Sequence, residues 1–336
     1  MIAAAGLWGV GWTFRSGAED AWLADELGHE QLGAAYQRSA QLARVTGLAG
    51  IAAAVVFALV DLQLPFLAAG TVTLLLAVFL ALAMPEHGFT RPPRTAGTSH
   101  VAAALVTARD SGRLVRGHPV LLLILAIAFI TSMWAEGFDR LWEAHLLLDV
   151  GLPDLAGLGD VAWFGLIGAG TLVLSFLVAA PLVSWVERLG QERLAWFLLL
   201  LHALLIVTAL GFAWAGTVWL TLIAYWATTV VRSLTEAPFR TWLNGAVTDS
   251  RVRATVLSIT GVAGSAGEWA GGPILGVIGT RWSVRTALTV GALLLIPTLA
   301  LFARAARHHG HEPELAAPRA TVQGATHSDL GRRSRS

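Results

Sequence analysis

Apolar stretches of about 20 residues, the length needed to cross the hydrocarbon core of a bilayer, recur along nearly the whole of this chain. That recurrence restricts the fold more than any single motif. Spans are read at 1–24, 44–61, 64–84, 119–136, 161–183, 194–215, 216–238, 254–280 and 286–304. Each is expected to be helical. In lipid an open strand leaves backbone N–H and C=O groups unpaired, and these segments lack the short alternation of a membrane barrel. Spans two and three are joined by a tight turn at Asp61 to Pro65. The balance of 55% hydrophobic against 13% charged residues over 336 positions excludes an ordinary water-soluble domain, and repetition of the spans excludes a soluble protein with one signal peptide. The expected fold class is therefore all-α, a multipass membrane protein with about nine transmembrane helices.

Charge placement orients the chain. All 23 basic residues are Arg, and the net charge is only +1, so no global field points to nucleic acid. Arg38 and Arg44, the five between Arg91 and Arg116, Arg188 and Arg193, Arg240, Arg251 and Arg253, and the six from Arg304 onward all fall on one side of the membrane. The other side carries only Arg140, Arg281 and Arg285, beside Asp139, Glu143, Asp149, Asp154 and Asp160. The Arg-rich side is expected to be cytoplasmic, with the C-terminus inside, residue 1 outside and the chain in the plasma membrane. A first span with an outside N-terminus and no basic anchor suggests that something before Met1 is missing. Residues 85–118 are expected to link two bundles, with a surface helix over 98–116. Residues 306–336 are expected to form a disordered cytoplasmic tail. Cysteine is absent, which excludes disulfides and thiolate chemistry.

An internal repeat accounts for the unusual start. FRSGAEDAWLAD at Phe14 to Asp25 pairs with VRSLTEAPFRTWLN at Val231 to Asn244, and TGLAG at Thr46 to Gly50 pairs with TGVAG at Thr260 to Gly264. The order is the same in both halves. Extended to the span that begins near 119, the repeat places a counterpart about 95 residues before Met1, enough for three further helices.

These features resemble the major facilitator superfamily of transporters. VSWVERLGQER, Val183 to Arg193, is similar to that family's cytoplasmic loop signature: Arg188, Gly190 and Arg193 fit, while Val183 and Glu187 stand where Gly and Asp are usual. RVRATVLSITGVAGSAGEWAGGPILGVIG, Arg251 to Gly279, resembles the eleventh helix of such proteins. A Gly-Pro antiporter motif is not found in 44–61. The resemblance implies helices 4–12 of a twelve-helix fold, with 1–84 a partial N-terminal bundle of three helices, 119–305 the C-terminal bundle of six, and alternating access around a central cavity. It also implies gating by the loop of Glu187, Arg188, Gly190 and Arg193.

Intramembrane charges supply the site candidates, because an ionised side chain in a bilayer needs a partner or a wet cavity. Arg15 and Glu19, and likewise Arg232 and Glu236, stand one helical turn apart and are expected to meet on one face. With Asp20, they either bind substrate and carry a coupling proton or latch two bundles together. Glu268, with no local Arg, is the preferred proton-coupling candidate; the alternative is a hydrogen-bonding cavity wall. Gly271, Gly272, Gly276 and Gly279 are expected to permit close helix approach, and Pro273 to kink its helix. Glu136 to His145 is placed at the outer end of the fourth span, as a guard of the entrance or a solvated helix end. His202 is expected to be packed and hydrogen-bonded, and the 14 Trp residues to be interface anchors and packing groups.

Enzymatic function is not expected, since H-E-x-x-H, G-x-S-x-G and P-loop patterns are lacking and His29-Glu30 has no second His. The expected activity is proton-coupled efflux or uptake of a small molecule by a monomer in the lipid bilayer, with no cofactor, metal or nucleic acid. The alternative is a truncated, non-transporting remnant or a protein completed by a partner.

Overall fold

The computed structural model describes residues 29–84, 119–154, 157, 159–186, 189–245 and 250–309, together with Gly11, Trp22 and Glu26. The described residues form helices and turns and contain no strand. Nine helices follow in order: α1 (His29–Val60), α2 (Leu64–Ala83), α3 (Pro119–Ala144), α4 (Gly159–Val186), α5 (Gln191–Trp214), α6 (Val218–Gly245), α7 (Ser250–Arg281), α8 (Val284–Leu294) and α9 (Ile296–His309). The described residues are thus all-helical, in keeping with a multipass helical membrane protein. Five stretches are long and apolar enough to cross one: Leu64–Ala83, Val120–Val150, Gly159–Val178, Gln191–Trp214 and Val284–Arg307. The first predicted span apart from Gly11 and Trp22, the 98–116 surface helix and residues 310–336 of the predicted tail lie outside the described residues; residues 306–309, expected to begin that disordered tail, instead continue α9, where Ala306 is buried against the core.

Local chemistry explains the joints. Asp61 closes the α1–α2 turn by accepting the Gln63 backbone N–H at 2.7 Å, and Pro65 stands in the first turn of α2, where its missing N–H costs nothing. Between α8 and α9, Pro297 has no N–H to give the Leu293 carbonyl, which takes the Leu295 N–H instead, and the Leu295 carbonyl accepts from both the backbone N–H and the hydroxyl of Thr298. These two segments form one apolar column.

The fourth span is longer than the sequence predicts. α3 does not end near 136; it runs to Ala144 and continues as a π-helical turn, His145–Val150. Glu136, Asp139, Arg140 and Glu143 therefore ride on regular helix, where Asp139, Arg140 and Glu143 are exposed. Gly151, at φ 72°, then reverses the chain and donates its N–H to Leu146 at 2.9 Å. A side chain is disfavoured in that left-handed conformation.

Six columns, α3 to α7 and the α8–α9 pair, pack into one bundle with two apolar clusters. One, toward the end that carries the 150–158 connection, joins Trp134, Phe138, Leu146, Phe212, Tyr225 and Leu288. The other, toward the opposite, Arg-rich end, joins Ile124, Leu198, Trp242, Val256 and Phe302. His202 lies near their meeting point, buried as expected. Its Nδ1 donates to the Leu198 carbonyl at 2.9 Å, Thr131 stands 3.4 Å from Nε2, and the ring packs on Phe302. Buried hydroxyls such as Thr221, Thr228 and Thr260 donate to carbonyls one turn back, so they enter the core without an orphaned donor.

α1 packs on α4, where Gly47 faces Leu172 and Gly168 faces Ile51. α2 contacts α1 and has no buried residue. An apolar helix of this exposure is suited to hydrocarbon surroundings.

Candidate functional site

The charges on α3 meet those on α6 and α7 at one exposed face of the bundle. Arg232 of α6 makes a two-pronged pair with Asp139 of α3, Nη1 to Oδ1 at 2.6 Å and Nη2 to Oδ2 at 2.9 Å. Two parallel N–H donors matched to two carboxylate oxygens fix direction as well as charge. Beneath the pair the guanidinium carbon lies 5.9 Å from the ring centre of buried Trp134. The pair is half-exposed, with 36% of the Arg232 and 48% of the Asp139 side chain accessible, so water or a ligand can reach it.

This arrangement corrects one expectation from the sequence. Arg232 and Glu236 do not pair: Arg232 turns to Asp139, and Glu236 instead binds Arg240 at 2.9 Å, one turn further along α6. Both members of the Glu236–Arg240 pair are largely exposed, which leaves little Coulomb energy in it. Helical spacing allowed either partner. A planar carboxylate on a neighbouring helix suits the guanidinium better than a neighbour on its own helix.

Glu268 of α7 is exposed and feels the charges of Glu136, Arg232 and Asp139. The preferred coupling residue of the sequence reading is therefore drawn into the same electrostatic neighbourhood as Arg232. Glu136 is engaged on its own helix with Arg140, whose Nε stands 2.5 Å from its carboxylate. Tyr225 of α6 bonds Thr171 and lies within the field of Asp139, Glu143 and Arg232. Its ring is 4.6 Å from Trp142 and joins Phe138 and Phe212 in an aromatic floor under the charges. Among the described residues no three His, Asp or Glu side chains are grouped as metal ligands would be.

α7 is held against α3 by glycine. A Cβ at Gly267 would strike the Phe129 carbonyl, and one at Gly271 would strike the Met133 carbonyl, so the two backbones touch. At Gly264 a Cβ would come 3.1 Å from Ser132 Oγ. Gly272 leaves room for the Arg140 side chain, and Gly279 faces Leu141 and Ala287. Gly276 departs from expectation: nothing lies within 4 Å of where its Cβ would be, because it is on the other side of α7 from the α3 seam. Pro273 does not break the helix, which runs unbroken from Ser250 to Arg281.

No protein-family model matches the chain, and no curated protein is detectably similar to it.

The remaining candidates divide between described and undescribed residues. Arg15, Glu19, Asp20, Glu187 and Arg188 lie outside the described residues. Gly190 caps α5 and accepts the Leu194 N–H at 2.9 Å, and Arg193 is exposed in the first turn of that helix. Asp139 is the site residue that the sequence assigned to a different role. Its partner is 93 positions away, and no local spacing signals such a pair. Gly267 had a signal: with Gly271 it forms a small-xxx-small step, the usual mark of a close helix contact.

Proposed function

We propose that this chain is a secondary transporter of the major facilitator type that moves a small molecule across the cytoplasmic membrane by alternating access, driven by protons. The observation that carries the reading is the Arg232–Asp139 pair, bridging two helices of an apolar bundle with Glu268 inside its field. Charges in a bilayer are retained where they do something, since each costs on the order of 2.5–3.5 kcal/mol to insert. An ion pair at the rim of a groove can open and re-form as helices rock, which a glycine seam between touching backbones cannot.

In this reading Glu268 loads and releases the proton. Its charge competes with Asp139 for Arg232, so its protonation alters the strength of the bridge. A substrate group entering the groove meets the same arginine, and coupling follows from two ligands sharing one cation. Glu236 lies toward the Arg-rich end and, paired to Arg240, belongs to the latch role. The repeat assigns Arg15, Glu19 and Asp20 the corresponding positions in the other half. Glu187, Arg188, Gly190 and Arg193 form the cytoplasmic gating loop, with the C-terminus inside. The partners are the bilayer, a small molecule and protons, and the transporter is a monomer.

The test is flux in proteoliposomes. Saturable uptake driven by a pH gradient is expected, and Glu268→Gln should abolish driven flux yet leave gradient-free exchange. Driven flux unchanged in that variant removes Glu268 as the coupling residue. Absence of saturable flux from the parent protein favours the non-transporting alternative, and chemical conversion of the substrate favours an enzyme.

A further inference from the structure

Arg285 carries a cation that no carboxylate among the described residues neutralises. It lies in the first turn of α8, at the bundle end opposite the Arg-rich one, and no Asp or Glu among the described residues stands within ion-pair distance of it. Its Nε is buried and has no hydrogen-bond partner. A buried N–H without an acceptor costs on the order of 1–3 kcal/mol, and the guanidinium charge is left for an anionic acceptor at its two terminal NH2 groups.

The surroundings hold the guanidinium ready. Its central carbon lies 5.6 Å from the ring centre of Trp214, at the end of α5. That ring is tethered in turn: Trp214 Nε1 donates to Thr289 Oγ1 at 3.1 Å, and the Thr289 hydroxyl donates to the backbone carbonyl of Arg285 at 2.8 Å. The platform and the arginine resting on it are thus bound through one threonine. Stacking occupies a face of the guanidinium and leaves its two terminal NH2 groups for a planar or tetrahedral anion.

The exposed residues nearby show what brings the anion. Trp214, Trp219 and Trp282 are all more than 60% exposed at this end of the bundle, an arrangement typical of the headgroup level of a bilayer. Below them Val207, Leu293 and Ile296 present an apolar wall. We infer that Arg285 and Trp214 form a binding site for the phosphate of a phospholipid headgroup, whose acyl chains lie along the α5–α8 wall. This site is separate from the Arg232 groove and does not depend on transport.

The experiment uses the full chain purified in detergent, titrated with dioleoylphosphatidylglycerol and read by native mass spectrometry. The parent should retain one tightly bound lipid, and Arg285→Ala should weaken its binding about tenfold, the loss expected for a charge-assisted contact. Arg281→Ala, which removes an exposed arginine at the end of α7, should leave that lipid bound. Arg285→Lys keeps the charge and protects folding while losing the fork and the stack, and should weaken binding several-fold. Equal lipid retention in both Arg285 variants overturns the site. So does an equal loss in Arg281→Ala, which would mean diffuse attraction. Displacement of the lipid by millimolar inorganic phosphate also overturns it, in favour of a free anion.

Discussion

α3 is held on its two sides by different physics. Toward α7 the contact is backbone against backbone, with Gly267 and Gly271 removing the side chains that would separate Phe129 and Met133 from the facing helix. Toward α6 the described bridge is the half-exposed Arg232–Asp139 pair. The first contact depends on shape over short distances and has no second arrangement of similar energy. The second adds charge to the packing of Tyr225 on Phe138 and Trp142, and its ion pair responds to any competing ion.

The sharpest way to break that comparison is at the seam. Gly271→Val places a branched side chain where the Met133 carbonyl already lies, and should cost about 3 kcal/mol or more, since neither backbone can yield. Thermal unfolding in detergent should show a large fall in midpoint, and an unchanged midpoint would mean that the helices do not touch there. At the bridge the effect should be smaller on stability and larger on activity. Asp139→Asn should cost about 1–2 kcal/mol, moderated by exposure of the pair, while substrate flux falls much further than unfolding explains. Equal flux in the variant would demote the pair to packing. Smallest of all, Gly276→Ala should leave both unfolding and flux within error, because its Cβ would enter open space. A marked loss there would point to a partner on that face of α7.

Much of the fold was legible because the signal was local. Hydropathy marked eight of the nine predicted spans where helices are described, and Asp61 with Pro65 marked the tight turn between two of them. Hydropathy ends the fourth span near 136 for an equally local reason. Glu136, Asp139, Arg140 and Glu143 lower hydropathy within a helix that the structure carries to Ala144 and beyond. The rule that finds spans is weakest where a span carries charge, and the candidate site is there. Gly271 and Gly272 were found from composition, whereas Gly276 was misassigned because a run of glycines does not say which face meets the neighbour.

The sequence by itself determined that the chain is helical and of the multipass kind, since hydrophobic length and backbone hydrogen bonding leave a bilayer-spanning segment little other choice. It did not determine partners. Arg232 had a carboxylate one turn away and took another 93 residues distant; Arg285 was read as one of three arginines on the sparse side and proved to be stacked on Trp214. Such choices belong to the tertiary structure, because a side chain's partner is set by which helices pack together and how they are rotated, and neither is encoded in the spacing along one helix.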